Sequence, residues 1–118
     1  MIGKWHALVI DCEQPDTAAT FYQQLLGMVR VDEDADWITI GDAADRPALA
    51  FQRVERLVRP QWPDADHPQQ MHVDVMVGDL DAAEDEVLKL GATNLFAGGE
   101  SFRVYSDPSG HPFCLVLS

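Results

Sequence analysis

Met71–Ala92, MHVDVMVGDLDAAEDEVLKLGA, changes its hydrophobic period once, and that change decides the fold. Val73, Val75 and Val77 alternate with His72, Asp74 and Met76, the two-residue period of a half-buried strand with β-branched residues on its packed side. At Gly78-Asp79 the period lengthens. Leu80, Ala83, Val87 and Leu90 then fall on one helical face, while Asp81, Glu84, Asp85 and Glu86 take the other face or crowd the first turns. Asp79 is placed as the N-cap, and the early carboxylates suit the positive end of the helix dipole. Gly91 is placed as the left-handed residue that ends the helix. The stretch is a strand, a tight turn and a helix, with His72 and Asp74 on the strand face that the helix leaves open.

Upstream, Trp5–Cys12 reads as a first strand, with Leu8, Ile10 and Cys12 on one face and Ala7, Val9 and Asp11 on the other. Pro15 breaks it and Asp16 is placed as a cap. Ala18, Phe21, Tyr22 and Leu25 keep helical spacing until Gly27. Met28–Glu33 and Trp37–Ile40 follow as strands, Gly41-Asp42 begins a loop, and Pro47 precedes a strand over Ala48–Val54. Glu55–Gln70 carries Pro60, Pro63 and Pro68 and reads as a linker. Downstream of the helix, Thr93–Phe96 is a short strand, Gly98-Gly99 a turn, and Ser101–Ser106 a strand in which Phe102 and Val104 alternate with Arg103 and Tyr105. Asp107-Pro108-Ser109-Gly110 is a turn with proline at its second position and glycine at its fourth, before a last strand over Pro112–Leu117.

Each half therefore reads strand, helix, three strands, an α+β pattern. Gln24-Leu25-Leu26-Gly27-Met28 echoes Leu88-Lys89-Leu90-Gly91-Ala92, and Phe51-Gln52-Arg53-Val54 echoes Phe113-Cys114-Leu115-Val116. A repeat of this length in 118 residues means two modules in one domain: about residues 4–54, a linker over about 55–70, and about 71–118.

The bulk numbers narrow the function classes. Eight basic against twenty acidic residues give a net charge of −12, the wrong sign for phosphate-backbone binding, so nucleic acid is not expected as a partner. The same charge attracts a cationic small molecule, although solubility alone explains many acidic surfaces. No apolar run approaches the ~20 residues of a membrane span, and no signal-peptide pattern opens the chain. Two cysteines are too few for a disulfide framework, so a reducing cytoplasm is the expected compartment.

Paired βαβββ modules, a helix ending in LLG, HVDVMVGDLDAA, and DPSGHPF before the last strand together resemble the vicinal oxygen chelate superfamily. That group includes glyoxalase I, extradiol dioxygenases, fosfomycin-resistance proteins and bleomycin-resistance proteins. The likeness covers nearly the whole chain and is closest to small glyoxalase-like proteins. It implies the glyoxalase/bleomycin resistance/dioxygenase fold, in which two βαβββ modules form a cup-shaped, curved mixed β-sheet, and it implies a homodimer. It also implies four metal ligands, from the first and last strands of each module. Aligned on the helix starts and on the Phe51/Phe113 echo, those positions are Ala7, Gln52, His72 and Cys114. His72 is the one ordinary ligand among them. His6 precedes the required place and faces the other way. Gln52, His72 and Cys114 are thus the candidate metal ligands, an incomplete version of the His/Glu set that the family's lyase and isomerase chemistry uses.

The ligand-binding candidates are Asp11, Trp37, Gln52, Trp62, His72, Asp74, Phe102, Tyr105 and Cys114. His72 can serve as ligand or general base, or simply hydrogen-bond Asp74 or Gln52. Asp74 shares its face and can orient it or meet a cation; Asp11 carries the same alternatives. Cys114 is a small apolar residue as readily as a thiolate. Trp37, Phe102 and Tyr105 fit a pocket wall or a core, and Trp62 on the proline-rich linker fits a lid or an interface anchor. His67 and His111 read as surface residues. The expected function is binding of a small organic ligand, cationic or aromatic, with no complete catalytic metal site and no cofactor. The alternative is a metal-dependent lyase, isomerase or dioxygenase.

Overall fold

The structure, a computed structural model, describes residues 1–117. It divides into two compact units, Met1–Leu57 and Val58–Ser118. The first contains β1 (Leu8–Cys12), α1 (Pro15–Leu26), β2 (Val29–Glu33), β3 (Trp37–Ala43) and β4 (Arg46–Arg53). The second contains β5 (Val73–Val77), α2 (Leu80–Lys89), β6 (Thr93–Gly98), β7 (Phe102–Ser106) and β8 (Pro112–Leu117). Each unit folds a four-stranded mixed sheet, ordered β1-β4-β3-β2 and β5-β8-β7-β6. The strand before the helix pairs in parallel with the last strand of its unit, and the remaining pairs are antiparallel. Two βαβββ modules are therefore present, as the periodicity predicts.

The echoed phenylalanines anchor the two cores. Phe51 stacks on Tyr22 of α1 at 5.4 Å between ring centroids, and Phe113 stacks on Tyr105 of β7 at 5.6 Å. All four rings are buried, with Ile40, Leu49 and Ile10 beside the first pair and Leu115, Val87 and Leu80 in the second unit. Dispersion and burial of this kind are what hold amphipathic elements to a sheet.

Both helices stop where glycine allows a left-handed residue. Gly27 follows α1 at φ 68°, and Gly91 lies just past α2 at φ 108°. At the other end, Asp79 caps α2 by accepting a hydrogen bond from the Ala82 amide at 3.0 Å. Asp79→Ala should therefore cost about 1 kcal/mol, read as a lower urea midpoint, with Asp79→Ser restoring most of it. A midpoint unchanged in Asp79→Ala would show that the cap contributes nothing. The start of α1 differs from expectation. Asp16 is not the cap: Pro15 occupies the first helical position, where its missing N–H costs nothing, and Asp16 sits within the first turn, paired with Arg30 at 2.8 Å.

Two loop assignments are also corrected. Gly41-Asp42 and Pro47 lie within β3 and β4, not outside them, because the ladder is bulged on both sides of Gly41 and the β1–β4 pairing begins only at Leu49. Pro47 thus interrupts no β1 pairing, and Gly41 admits the Arg46 backbone where a side chain would not fit. Likewise Gly98 belongs to β6 rather than to a turn, with φ 135° and the Phe102 backbone against it. The segment 55–70 carries neither helix nor strand. Its Arg59 donates hydrogen bonds to the carbonyls of Pro108 and Ser109, tying it to the DPSG turn. Asp107 closes that turn by accepting from the Ser109 and His111 amides.

Candidate functional site

The second sheet has two chemically distinct faces. On one, α2 sits over Tyr105. The Tyr105 hydroxyl donates to Glu84 at 2.7 Å, Asn94 donates to the same carboxylate oxygen at 3.0 Å, and Arg103 reaches Asp81 at 2.7 Å. Burial, reinforced by the hydrogen bond and the negative charge of Glu84, pushes the Tyr105 phenol up to about 12. Tyr105 is fully buried there. This corrects its expected place: strand alternation puts it on the face opposite His72 and Asp74, as a structural anchor of α2.

The other face carries the polar cluster. Parallel pairing sets Asp74 of β5 directly beside Cys114 of β8. His72, two residues earlier on the same face, brings Nε2 to 3.2 Å from Asp74 Oδ1. One donor atom from each of His72, Asp74 and Cys114 lies within 4.8 Å of the other two. Cys114 is 9% exposed, whereas the His72 and Asp74 side chains are 40% and 57% exposed, so the cluster has a buried floor and an open rim. Burial pushes the Cys114 thiol up, and Asp74 adds to the shift through its charge and by accepting the S–H. The metal-free thiol is therefore a neutral donor to Asp74 rather than a nucleophile. One row further along the same face, Phe102 pairs with Val116, which pairs with Met76; Phe102 is 41% and Met76 69% exposed.

The first unit offers a counterpart with different chemistry. Asp11 of β1 lies beside Gln52 of β4, and Gln52 lies beside Trp37 of β3. These three expected residues share one row on the face away from Phe51 and Tyr22. The Trp37 indole N–H donates to Thr39 Oγ1 at 3.0 Å and is held along its strand. With Phe51 matched to Phe113, Asp11 corresponds to Asp74, Gln52 to Cys114 and Val9 to His72. Ala7 is therefore not the equivalent of His72 that helix-start alignment suggests, because the connection from strand to helix is two residues shorter in the first module: α1 starts four residues after Asp11, and α2 six after Asp74. Trp62 lies half-buried in the 55–70 segment. His67 contacts Asp64 at 3.1 Å, and His111 is only partly exposed, held by its amide to Asp107.

The donor chemistry tests the expected metal sets. Ala7 and Val9 carry no ligand atom, so the four-ligand set implied by the resemblance is not furnished. Gln52 and Cys114 belong to different units, and the second unit supplies its own third donor in Asp74, which the expected set omitted. Imidazole, carboxylate and thiolate fit a borderline-soft divalent ion with one position left open. Asp74 was legible as a face-sharing neighbour of His72; its place beside Cys114 was not.

Comparison with known proteins agrees with this fold. The sequence pattern of the glyoxalase-like domain matches residues 7–116. No curated protein matches the chain. A glyoxalase/bleomycin resistance protein/dioxygenase family enzyme from Burkholderia phytofirmans is similar in structure, with a TM-score of 0.72 at 17% identity over 94% of this chain and 95% of that one. A glyoxalase-related enzyme from Fulvimarina pelagi gives 0.72 at 14% identity, over 99% and 89%. The fosfomycin resistance protein FosX from Mesorhizobium loti gives 0.69 at 14% identity, over 100% and 93%. At such identities the likeness is one of fold, and fold alone does not fix chemistry. Among the described residues no helix is long and apolar enough to cross a membrane.

Proposed function

The chain belongs to the glyoxalase-like domain family, within the vicinal oxygen chelate superfamily, and on that premise we propose that it binds a small organic ligand of cationic or aromatic character. The observation that carries the reading is the open face of β5-β8-β7: a compact polar cluster, His72–Asp74–Cys114, beside exposed Met76 and Phe102. Large apolar side chains left in water next to a few convergent polar groups are what small-molecule sites are made of. Asp74 would meet the positive group, Phe102 and Met76 the ring, and the net charge of −12 would raise the local concentration of cations. His72, turned to Asp74 through Nε2, would accept a ligand's proton through Nδ1.

The test is a thermal-shift screen of cationic aromatic compounds against chelator-treated protein. A ligand of this class should raise the melting midpoint by several degrees, rising with the logarithm of its concentration above Kd. Its affinity should fall at least tenfold in Asp74→Asn and weaken with added salt. A hit indifferent to both salt and Asp74→Asn would sink the reading. Metal-dependent lyase, isomerase or dioxygenase chemistry is the second reading, favoured by the donor set of the same cluster. A divalent ion held there would supply Lewis acidity toward a ligand oxygen.

A further inference from the structure

We infer that the groove between α2 and β6, on the helix side of the second sheet, docks an arginine-bearing segment of a partner protein, with Phe96 as its anchor. β6 carries two residues more than the strand opposite it: Asn94 pairs with Tyr105 and Ala97 with Val104, so Leu95 and Phe96 form a bulge. Phe96 there takes φ 55°, a left-handed angle that a bulky side chain rarely adopts. Its amide donates to Asn94 Oδ1 at 2.8 Å, and the Asn94 side-chain amide donates in turn to Glu84 of α2 at 3.0 Å. The ring is nevertheless 90% exposed. Neither burial nor backbone preference accounts for an aromatic side chain fixed in water by its own hydrogen-bond chain. Strain of this kind collects at functional positions, and rigid exposed aromatics are what anchor interfaces.

Charge selects the occupant. The groove beside the ring, about 400 Å³ in volume, is lined by Asp81 and Glu84 of α2 together with Asn94 and Arg103. Arg103 is shared between the two carboxylates, at 2.7 Å from Asp81 and 3.5 Å from Glu84, so the lining keeps a negative excess. Asp81 is 86% exposed and open to a second cation. α2 adds exposed Asp85 and Glu86 against Lys89. A second copy of this face would bring like charges together, which disfavours self-association through it. A cation is drawn in, and arginine fits better than lysine, because its planar guanidinium stacks on an aromatic ring while pairing with a carboxylate. The bulge interrupts the outer edge of β6, so the segment docks through its side chains rather than as an added strand. This surface is independent of the His72–Asp74–Cys114 face and needs no ligand there.

The experiment is a fluorescence-anisotropy titration of a dye-labelled peptide, acetyl-Ala-Arg-Leu-Arg-Ala-amide, with the untagged full-length chain at low salt. Saturable one-to-one binding is expected, weakened about threefold or more in Phe96→Ala and in Asp81→Asn. The peptide with lysine in place of both arginines should bind more weakly than the arginine peptide. Asp74→Asn removes the same charge from the opposite face and should bind as the parent does. Phe96→Gly removes the ring while suiting the left-handed angle, so it should match or exceed the parent's urea midpoint and still lose affinity. That variant separates loss of the anchor from loss of the fold. Four results would overturn the docking groove: no saturable binding, affinity unchanged in both Phe96 variants, an equal loss in Asp74→Asn, or self-association of the parent that Phe96→Ala abolishes. The Asp74→Asn arm also keeps this surface distinguishable from the small-molecule face, whose affinity that substitution should lower.

Discussion

Gly41→Ala is expected to unfold the first module. The Cβ it adds would be driven into the carbonyl oxygen of Arg46 and to 3.0 Å from Pro47 Cα, all backbone atoms that cannot swing aside. Gly41 lies between two register shifts in the β3–β4 ladder, so relief requires breaking the bulge that lets the hairpin close. Overpacking against backbone costs about 3 kcal/mol or more, a large part of the ~5–15 kcal/mol that stabilises a domain of this size. Loss of a cooperative urea transition, or a midpoint reduced by a comparable amount, is the expected readout. Gly78→Ala is the matched control: nothing lies within 4 Å of its added Cβ, and its midpoint should stay close to the parent's. A Gly41→Ala protein as stable as the control would mean that the strands do not approach so closely.

The second large effect is expected at Glu84. Its carboxylate accepts from the Tyr105 hydroxyl and the Asn94 amide and lies 3.5 Å from Arg103, beneath α2. Glu84→Ala leaves a buried phenol and an amide without their acceptor and should cost about 2–4 kcal/mol, with Glu84→Gln recovering part of it. The same network makes stability sensitive to alkali. Tyr105 holds its proton more tightly folded, at about 12, than unfolded, near 10. Its contribution is fully present below pH ~10 and is lost as pH rises through ~12, a total of roughly 2–3 kcal/mol. At about pH 11 roughly half is gone. Urea midpoints measured from neutral pH upward should fall across that window in the parent and more shallowly in Tyr105→Phe. Parallel declines in the two proteins would dismiss the linkage.

Much of the fold was legible because its signals are local. The alternation of Val73, Val75 and Val77, the helical spacing from Leu80 to Val87, the Asp79 cap and the two terminal glycines each act within a few residues, and each holds in the structure. The errors fell where strand pairing overrode a local breaker. Gly41, Pro47 and Gly98 read as loop residues but sit in strands, since bulges and close backbone approach are satisfied by a neighbouring strand rather than by the residue's own segment. Of the pocket wall and the core that Tyr105 fits by sequence, the structure takes the core, for a related reason. Its alternation against Phe102 was visible, but the acceptor that draws it under α2 lies 21 residues away in sequence.

The candidate site divides along the same line. The sequence by itself determined which face His72 and Asp74 share, because side-chain direction along a strand repeats every two residues. It also determined that the first module lacks a matching histidine. Only the tertiary structure decided that Cys114 joins Asp74. That contact rests on the parallel register of β5 on β8, which is set by burial of Val75, Phe113 and Leu115 on the opposite face. A one-residue slip would turn Cys114 to the opposite face and dissolve the cluster. No local pattern encodes that choice; the packing of the whole module does.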